Sequence, residues 1–228
     1  VVVGYALDST STYRPSKWTQ VTGMVDISGG TVRAQARGVS ADGLIIVGTR
    51  LGTVGEAFRW TGGSGFEFLG TGAGYAGSSV IDVSADGRRV VGVNSSAGIV
   101  RASVWDQGLG WREVSAILSD AGVDVSGWTL TNCLSLSDDG RVLAGNGTNP
   151  NGDTEGWVAV IPMRPQCGSA DFNQDGDSGT DTDIEDFFAC LGGGCCPGCG
   201  SADFNGDGDT GTDLDIEAFF RVLGGGSC

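Results

Sequence analysis

Apolar and polar positions in the first 160 residues form short runs that recur along the chain. Val39-Ser40-Ala41-Asp42-Gly43 returns as Val83-Ser84-Ala85-Asp86-Gly87 and, altered, as Leu136-Ser137-Asp138-Asp139-Gly140. Each copy leads into an apolar run that ends in glycine: Ile45-Ile46-Val47-Gly48, Arg89-Val90-Val91-Gly92 and Val142-Leu143-Ala144-Gly145. The opening Val1-Val2-Val3-Gly4 fits the same slot without its turn, so trimming at the N-terminus is expected. The glycines are spaced by 44, 44 and 53 residues, and a tryptophan follows each run, at Trp18, Trp60, Trp105 and Trp157. A period of this size is that of a repeat array.

Within a repeat the chemistry is that of β-structure. Asp-Gly between apolar runs signals a hairpin, because both residues tolerate positive φ. The run after it is β-branched. Glu56-Ala57-Phe58-Arg59-Trp60 then alternates apolar and polar side chains, and Phe66-Glu67-Phe68-Leu69 reads as a closing strand. Four short strands in about 44 residues make one propeller-like blade. The first repeat lacks its first strand and the last its fourth, which predicts strands in groups of three, four, four and three. Such an array is cut short, closes as four irregular blades, or stays open. A different all-β arrangement is a further alternative.

The Val-Ser-Ala-Asp-Gly turns, the Val-Val-Gly strands and Glu56-Ala57-Phe58-Arg59-Trp60 resemble the bacterial extracellular HAF repeat family over residues 1–161. The resemblance implies an extracellular location and little about activity. Ile161-Pro162-Met163-Arg164-Pro165 ends the array. Two prolines in four residues stop a strand and stiffen a linker, assigned to residues 162–166.

Charge sets the C-terminal segment apart. Residues 167–228 hold eleven Asp and two Glu against Arg221 alone, a net −12 of the chain's −15. Such a segment repels nucleic acid and anionic lipid, and no run is long enough to insert in a membrane. Dense carboxylates call for a counter-charge, and a bound hard cation is the simplest. Six of the seven cysteines also fall here, at Cys167, Cys190, Cys195, Cys196, Cys199 and Cys228, the composition of a disulfide framework in an oxidising compartment. Zinc at Cys196-Pro197-Gly198-Cys199 would need a second pair or histidines, and the chain has neither. Cys133 stands apart and reads as a small buried apolar residue.

Residues 169–191 and 201–223 are two copies at an offset of 32. Each carries Asp-x-Asn-x-Asp-Gly, the first half of an EF-hand-type calcium loop, in which oxygens at alternate positions converge as the chain curls. Asp171, Asn173, Asp175 and Asp177 are the candidate ligands of one ion, and Asp203, Asn205, Asp207 and Asp209 of a second. The closing carboxylate is Asp181 or Asp183 in the first copy and Asp213 or Asp215 in the second. The later pair is preferred because helix residues follow at once. Ile184, Phe187, Phe188 and Leu191 share one helix face, as do Ile216, Phe219, Phe220 and Leu223. Glu185 and Glu217 are expected in the first helical turn. Helices this short persist only by burying each other's stripes.

The duplicated loops, the Asp-Ile-Glu-x-Phe-Phe helices, and Cys195-Cys196 with Cys228 resemble the type I dockerin family, in its cysteine-rich GC-type variant, over residues 167–228. The resemblance implies a non-catalytic module that binds two calcium ions and docks onto a cohesin module on a scaffold or surface. It carries the recognition pairs to Thr180 and Asp181, and to Thr212 and Asp213. If the helices pack antiparallel, the pseudo-symmetry predicts Cys167–Cys228 and its counterpart Cys196–Cys199, with Cys190–Cys195 left over.

The fold class expected is therefore a mainly β, blade-like repeat array (residues 1–161) followed by a small α-helical, EF-hand-like, disulfide-bonded domain (167–228). With no histidine, classical triads and most catalytic zinc sites are excluded. Glu56, Glu67, Glu113 and Glu155 are the carboxylates from which a glycosidase pair would have to come. The expected function is that of a non-enzymatic secreted protein held to a scaffold or cell surface by the calcium module, with the β-repeats free to interact. The alternative is a carbohydrate- or surface-binding protein whose repeat domain is the active part.

Overall fold

Hairpin turns that bond to themselves set the architecture of the first 161 residues. The computed structural model describes residues 1–161, 168–205 and 210–226. In the Ser-Ala-Asp-Gly turn, Asp42 Oδ1 accepts the Leu44 N–H at 2.9 Å, and Ser40 Oγ accepts the Ile45 N–H at 3.0 Å. Ser84 and Asp86, and Ser137 and Asp139, repeat the arrangement. Gly43, Gly87 and Gly140 take φ between 72° and 76°, which a side chain would strain. Successive turns are stitched together, because Ala41 N–H donates to the Ala85 carbonyl and Ala85 N–H to that of Asp138, both at 2.9 Å.

Fourteen strands result, in four antiparallel sheets. β1 (Val2–Leu7), β2 (Tyr13–Thr19) and β3 (Gly23–Asp26) form the first sheet. β4 (Ala34–Val39), β5 (Ile45–Arg50), β6 (Glu56–Thr61) and β7 (Gly65–Phe68) form the second. β8 (Gly77–Val83), β9 (Arg89–Ser96), β10 (Ile99–Asp106) and β11 (Gly110–Glu113) form the third. β12 (Thr129–Leu136), β13 (Val142–Thr148) and β14 (Thr154–Val160) form the last. The grouping into three, four, four and three matches the repeat pattern. The first strand of each later sheet packs against the sheet before it: β4 on β1 and β2, β8 on β4 to β6, β12 on β8 to β10.

The repeat glycine has a steric reason. A Cβ on Gly48, Gly92 or Gly145 would collide with the carbonyl of Gln35, Ser79 or Asn132 in the adjacent strand. That strand carries a register shift in each case, and the bulge pushes its backbone toward the glycine. Gly4, with no such strand beside it, meets nothing.

Cross-strand register revises the tryptophan repeat. Trp18, Trp60 and Trp105 lie opposite Val2, Ile46 and Val90, two residues before the glycine. Trp157 lies opposite Gly145 itself, the place held by Phe58 in the second sheet, so Ala159 is the true counterpart of Trp60. Trp105 and Trp157 are core residues, whereas Trp18 on the first sheet is exposed. The 53-residue spacing is explained by a helix the repeat pattern did not announce, α1 (Val114–Asp120), which buries Val114, Ile117 and Leu118 against the last two sheets. Cys133 is fully buried in that core, and burial pushes its thiol up to about 12.

The chain divides into two compact units, Val1–Ile161 and Pro162–Cys228. The second unit contains α2 (Asp181–Leu191) and α3 (Asp213–Leu223). Its core is four phenylalanines: Phe187 and Phe219 stack at 4.0 Å between helices, and Phe172 and Phe204 close on them edge-to-face. All four are at most 1% exposed. Phe188 and Phe220, expected on the buried stripe, are instead 45% and 47% exposed. A step of about 100° per residue turns each away once its neighbour takes the centre of the interface.

Candidate metal centre

Two loops related by the 32-residue offset face each other in the second unit. Gly168 N–H donates to the Phe204 carbonyl and Gly200 N–H to the Phe172 carbonyl, both at 2.8 Å. Gly179 and Gly211 each approach the last leucine of the opposite helix, Leu223 and Leu191. These contacts exchange under the offset, so the halves are related by a pseudo-twofold axis.

In the first loop the polar side chains fold onto their own backbone. Asp171 accepts the N–H groups of Asp175 and Gly176, at 3.1 and 3.2 Å. Asn173 Oδ1 shares the Asp175 N–H at 3.1 Å, and Asp175 Oδ1 accepts that of Asp177 at 2.9 Å. Gln174 and Gly176 take positive φ, at 61° and 99°, which permits the curl. The donor set is oxygen only, suited to a hard cation. No three carboxylates of this loop bring oxygens within 4.8 Å of one another.

The closing carboxylates fall into two kinds. Asp183 is fully buried. Its Oδ1 accepts the Phe172 N–H at 2.7 Å and the Asn173 N–H at 3.4 Å, and its Oδ2 accepts the Thr180 N–H and hydroxyl at 2.9 and 3.0 Å. Burial alone would raise its pKa. The bonds from Thr180, Asn173 and Phe172 outweigh burial and hold the carboxyl below its ordinary value. Asp215 repeats this with Asn205 and Thr212, its pKa again lowered against burial. Asp183 and Asp215 thus tie loop to helix start, while Asp181 and Asp213 stand exposed at the first helical position. Helix α2 starts at Asp181, so Glu185 lies in its second turn, and the first turn carries Asp181 and Asp183 instead. The same holds for Glu217 in α3. Thr180 and Thr212 are the caps, which commits the hydroxyls of the expected recognition pairs to Asp183 and Asp215.

In the second loop Asp203 is half-buried and Asn205 buried, whereas Asp207 and Asp209 lie outside the described residues. Helix stripes alone do not identify Phe172 and Phe204, the second residue of each loop, as core. Their signal in the sequence is an aromatic at the same place in both copies.

Disulfides join Cys190 to Cys195 and Cys196 to Cys199. The expected Cys167–Cys228 pair lies outside the described residues. The Asp186 carboxylate and the Cys196 and Cys199 sulfurs lie within 4.8 Å of one another, close enough to share a metal ion. A disulfide sulfur is not a thiolate, so this group can hold an ion only after reduction, and its sulfurs suit a softer metal than calcium.

The glutamates of the first unit all have partners. Glu56 pairs with Arg50, Glu67 with Arg59, and Glu155 with the Asn149 amide. Glu113 accepts from the Tyr75 hydroxyl at 2.6 Å beside a cleft of about 230 Å³ that Asn94 and Trp111 also line. Burial, then the Glu113 hydrogen bond, push the Tyr75 hydroxyl up to about 12.

No helix among the described residues is long and apolar enough to cross a membrane. No protein-family model matches the sequence, and no curated protein matches it. Among solved structures, the chain is similar to TolB from Acinetobacter baumannii at 14% identity and a TM-score of 0.46, over 69% of this chain and 40% of that one. It is similar to a putative TolB from Agrobacterium tumefaciens at 13% identity and a TM-score of 0.44, over 71% of this chain and 63% of the other. The chain thus spans less than two thirds of either neighbour's length.

Proposed function

We propose that residues 167–228 form a dockerin-like calcium module that attaches a non-enzymatic extracellular protein to a cohesin-like or other surface scaffold, leaving the β-sheet unit free to interact. The observation that carries this is the pair of offset-related loops, joined by reciprocal backbone bonds and floored by four buried phenylalanines. Asp171, Asn173, Asp175 and Asp177 would hold one ion, and Asp203, Asn205, Asp207 and Asp209 the other. Asp183 and Asp215 fix the loops to the helices. The ions would supply the positive charge that the −12 segment lacks. Two disulfides in so small a unit fit an oxidising, extracellular setting. Calorimetric titration of the oxidised full chain with calcium tests the reading. Binding of two ions is expected, and no heat at millimolar calcium refutes it.

A second reading has its own observation. The cleft beside Tyr75, Asn94, Trp111 and Glu113 combines aromatic and hydrogen-bonding side chains, as sugar sites do. Glycan-array binding lost in Trp111→Ala but kept in Asp171→Asn would favour a carbohydrate-binding repeat unit.

A further inference from the structure

Among the described residues, the last sheet of the array has three strands where the two before it have four. In the second sheet β7 lies along Phe58–Thr61, and in the third β11 lies along Ser103–Asp106. Aligning the sheets by the residue opposite the repeat glycine makes Trp157–Val160 the corresponding stretch of β14. Among the described residues no strand pairs with β14 on that side. Those same four residues line an apolar cleft of about 300 Å³, together with Leu118 and Trp128.

The cleft has the features of a strand-acceptor site. Trp60 and Trp105 face aromatic residues of the completing strand, Phe66 and Trp111. Ala159 takes their place in β14 and leaves room for an incoming ring. Val158 and Val160 are 73% and 61% exposed on an open edge, where charged residues ordinarily discourage pairing. The Trp157 indole N–H is buried in this wall and has no acceptor among the described residues.

We propose that the β14 edge takes up a short extended strand from a protein partner. Its pattern is that of Gly65-Phe66-Glu67-Phe68, a glycine followed by an aromatic, with the ring over Ala159. Backbone bonds to the edge would give affinity, and the ring in the cleft would give selectivity.

A synthetic peptide with the sequence of residues 62–70, added to the oxidised full chain, tests this by amide hydrogen exchange. Saturable slowing of the Val158 and Val160 amides, which face the edge while those of Trp157 and Ala159 face β13, by about tenfold or more at about 0.1–1 mM peptide, is expected. A peptide with proline at the Glu67 position should have no effect, since the N–H it loses is one that faces the acceptor edge, as the Leu69 N–H faces Ala57 in the second sheet. Val158→Arg places an arginine where Arg59 faces Glu67 in the second sheet. It should tighten the original peptide several-fold and weaken one with lysine at the Glu67 position. No slowing at 1 mM, equal slowing by the proline peptide, or no Glu-over-Lys preference in Val158→Arg would overturn the proposal. So would slowing that rises with protein concentration alone, because it assigns the edge to a second copy of the chain.

Discussion

Replacing Asp183 by asparagine isolates what a buried carboxylate does at the start of α2. The wild-type Oδ2 accepts two donors from Thr180, the N–H at 2.9 Å and the hydroxyl at 3.0 Å. An amide keeps one carbonyl oxygen, which can still take the Phe172 N–H. Its NH₂ group then faces the Thr180 N–H, leaving one buried donor unsatisfied at a cost of about 1–3 kcal/mol. Loss of charge from the remaining bond adds about 1 kcal/mol. The sum, about 2–4 kcal/mol, compares with about 3–9 kcal/mol expected for the whole of a unit this size. At about 4–8 °C per kcal/mol for a small domain, the melting point of the helical unit should fall by about 10–30 °C. Far-UV circular dichroism of the full chain at 222 nm, in chelator and in calcium, measures it. The fall should occur in both, because the hydrogen bonds do not involve an ion. Asp181→Asn, at an exposed position, should change the chelated protein by less than about 0.5 kcal/mol. The Asp183 carboxyl is held below its unfolded pKa, so its contribution is complete above that value and is lost as pH falls through the lower folded one. The asparagine variant should therefore lose part of the acid sensitivity below about pH 4. A melting point unchanged in chelator but lowered in calcium would refute the reasoning, and would make Asp183 an ion ligand.

Other perturbations separate core from surface. Phe187→Ala should cost about 3–5 kcal/mol and unfold the helical unit, whereas Phe188→Ala, one residue on but 45% exposed, should cost under about 1 kcal/mol; denaturant titration followed at 222 nm distinguishes them. Arg89 bonds Asp106 at 2.7 Å and the Gly140 carbonyl at 2.7 Å between the third and last sheets, so Arg89→Met should destabilise the β unit by about 3–5 kcal/mol through the stranded Asp106 charge, read by tryptophan fluorescence in urea. Cys133 should resist iodoacetamide at pH 8 in the folded protein and react in urea, as mass spectrometry would register, since burial raises its thiol to about 12.

The strand grouping was legible because each Ser-x-Asp-Gly turn carries its own hydrogen bonds. Such a turn forms the same way wherever it occurs, so counting turns counts hairpins. The tryptophans misled because order along the chain is not register. Trp157 follows the repeat glycine as the other tryptophans do but lies opposite that glycine, and only cross-strand pairing reveals that Ala159 took the tryptophan's place. Helix α1 left little trace because seven residues hold barely two turns, and its stability comes from burying Val114, Ile117 and Leu118 against neighbouring sheets. In the second unit the loops and helices were visible as a repeat, but the roles of their acids were not. Asp181 and Asp183 differ by two positions and by everything that matters: one is exposed, the other buried under four donors. Spacing along a sequence cannot separate them, because the difference arises when Thr180 caps the helix and turns Asp183 inward.

That division leaves a charge problem, and it decides how calcium should act. Of the thirteen acids in residues 167–228, Asp183 and Asp215 are held in the charged form by caps and loop amides, and Arg221 lies 3.9 Å from Glu217 at an exposed site. So many like charges in a short segment repel one another. General screening would relieve this only at ionic strengths where the Debye length falls to about 10 Å or less, near 0.1 M. A site that gathers Asp171, Asn173, Asp175 and Asp177 around one ion would relieve it at calcium concentrations far too low to screen. Calcium at about 1 mM should therefore raise the melting point of the helical unit more than 0.3 M sodium chloride does. Magnesium at equal concentration should do less than calcium, since it gives up its water reluctantly and demands a tighter octahedral shell. Equal shifts for the two divalent ions, matched by sodium chloride, would mean that the acids are only a charged surface.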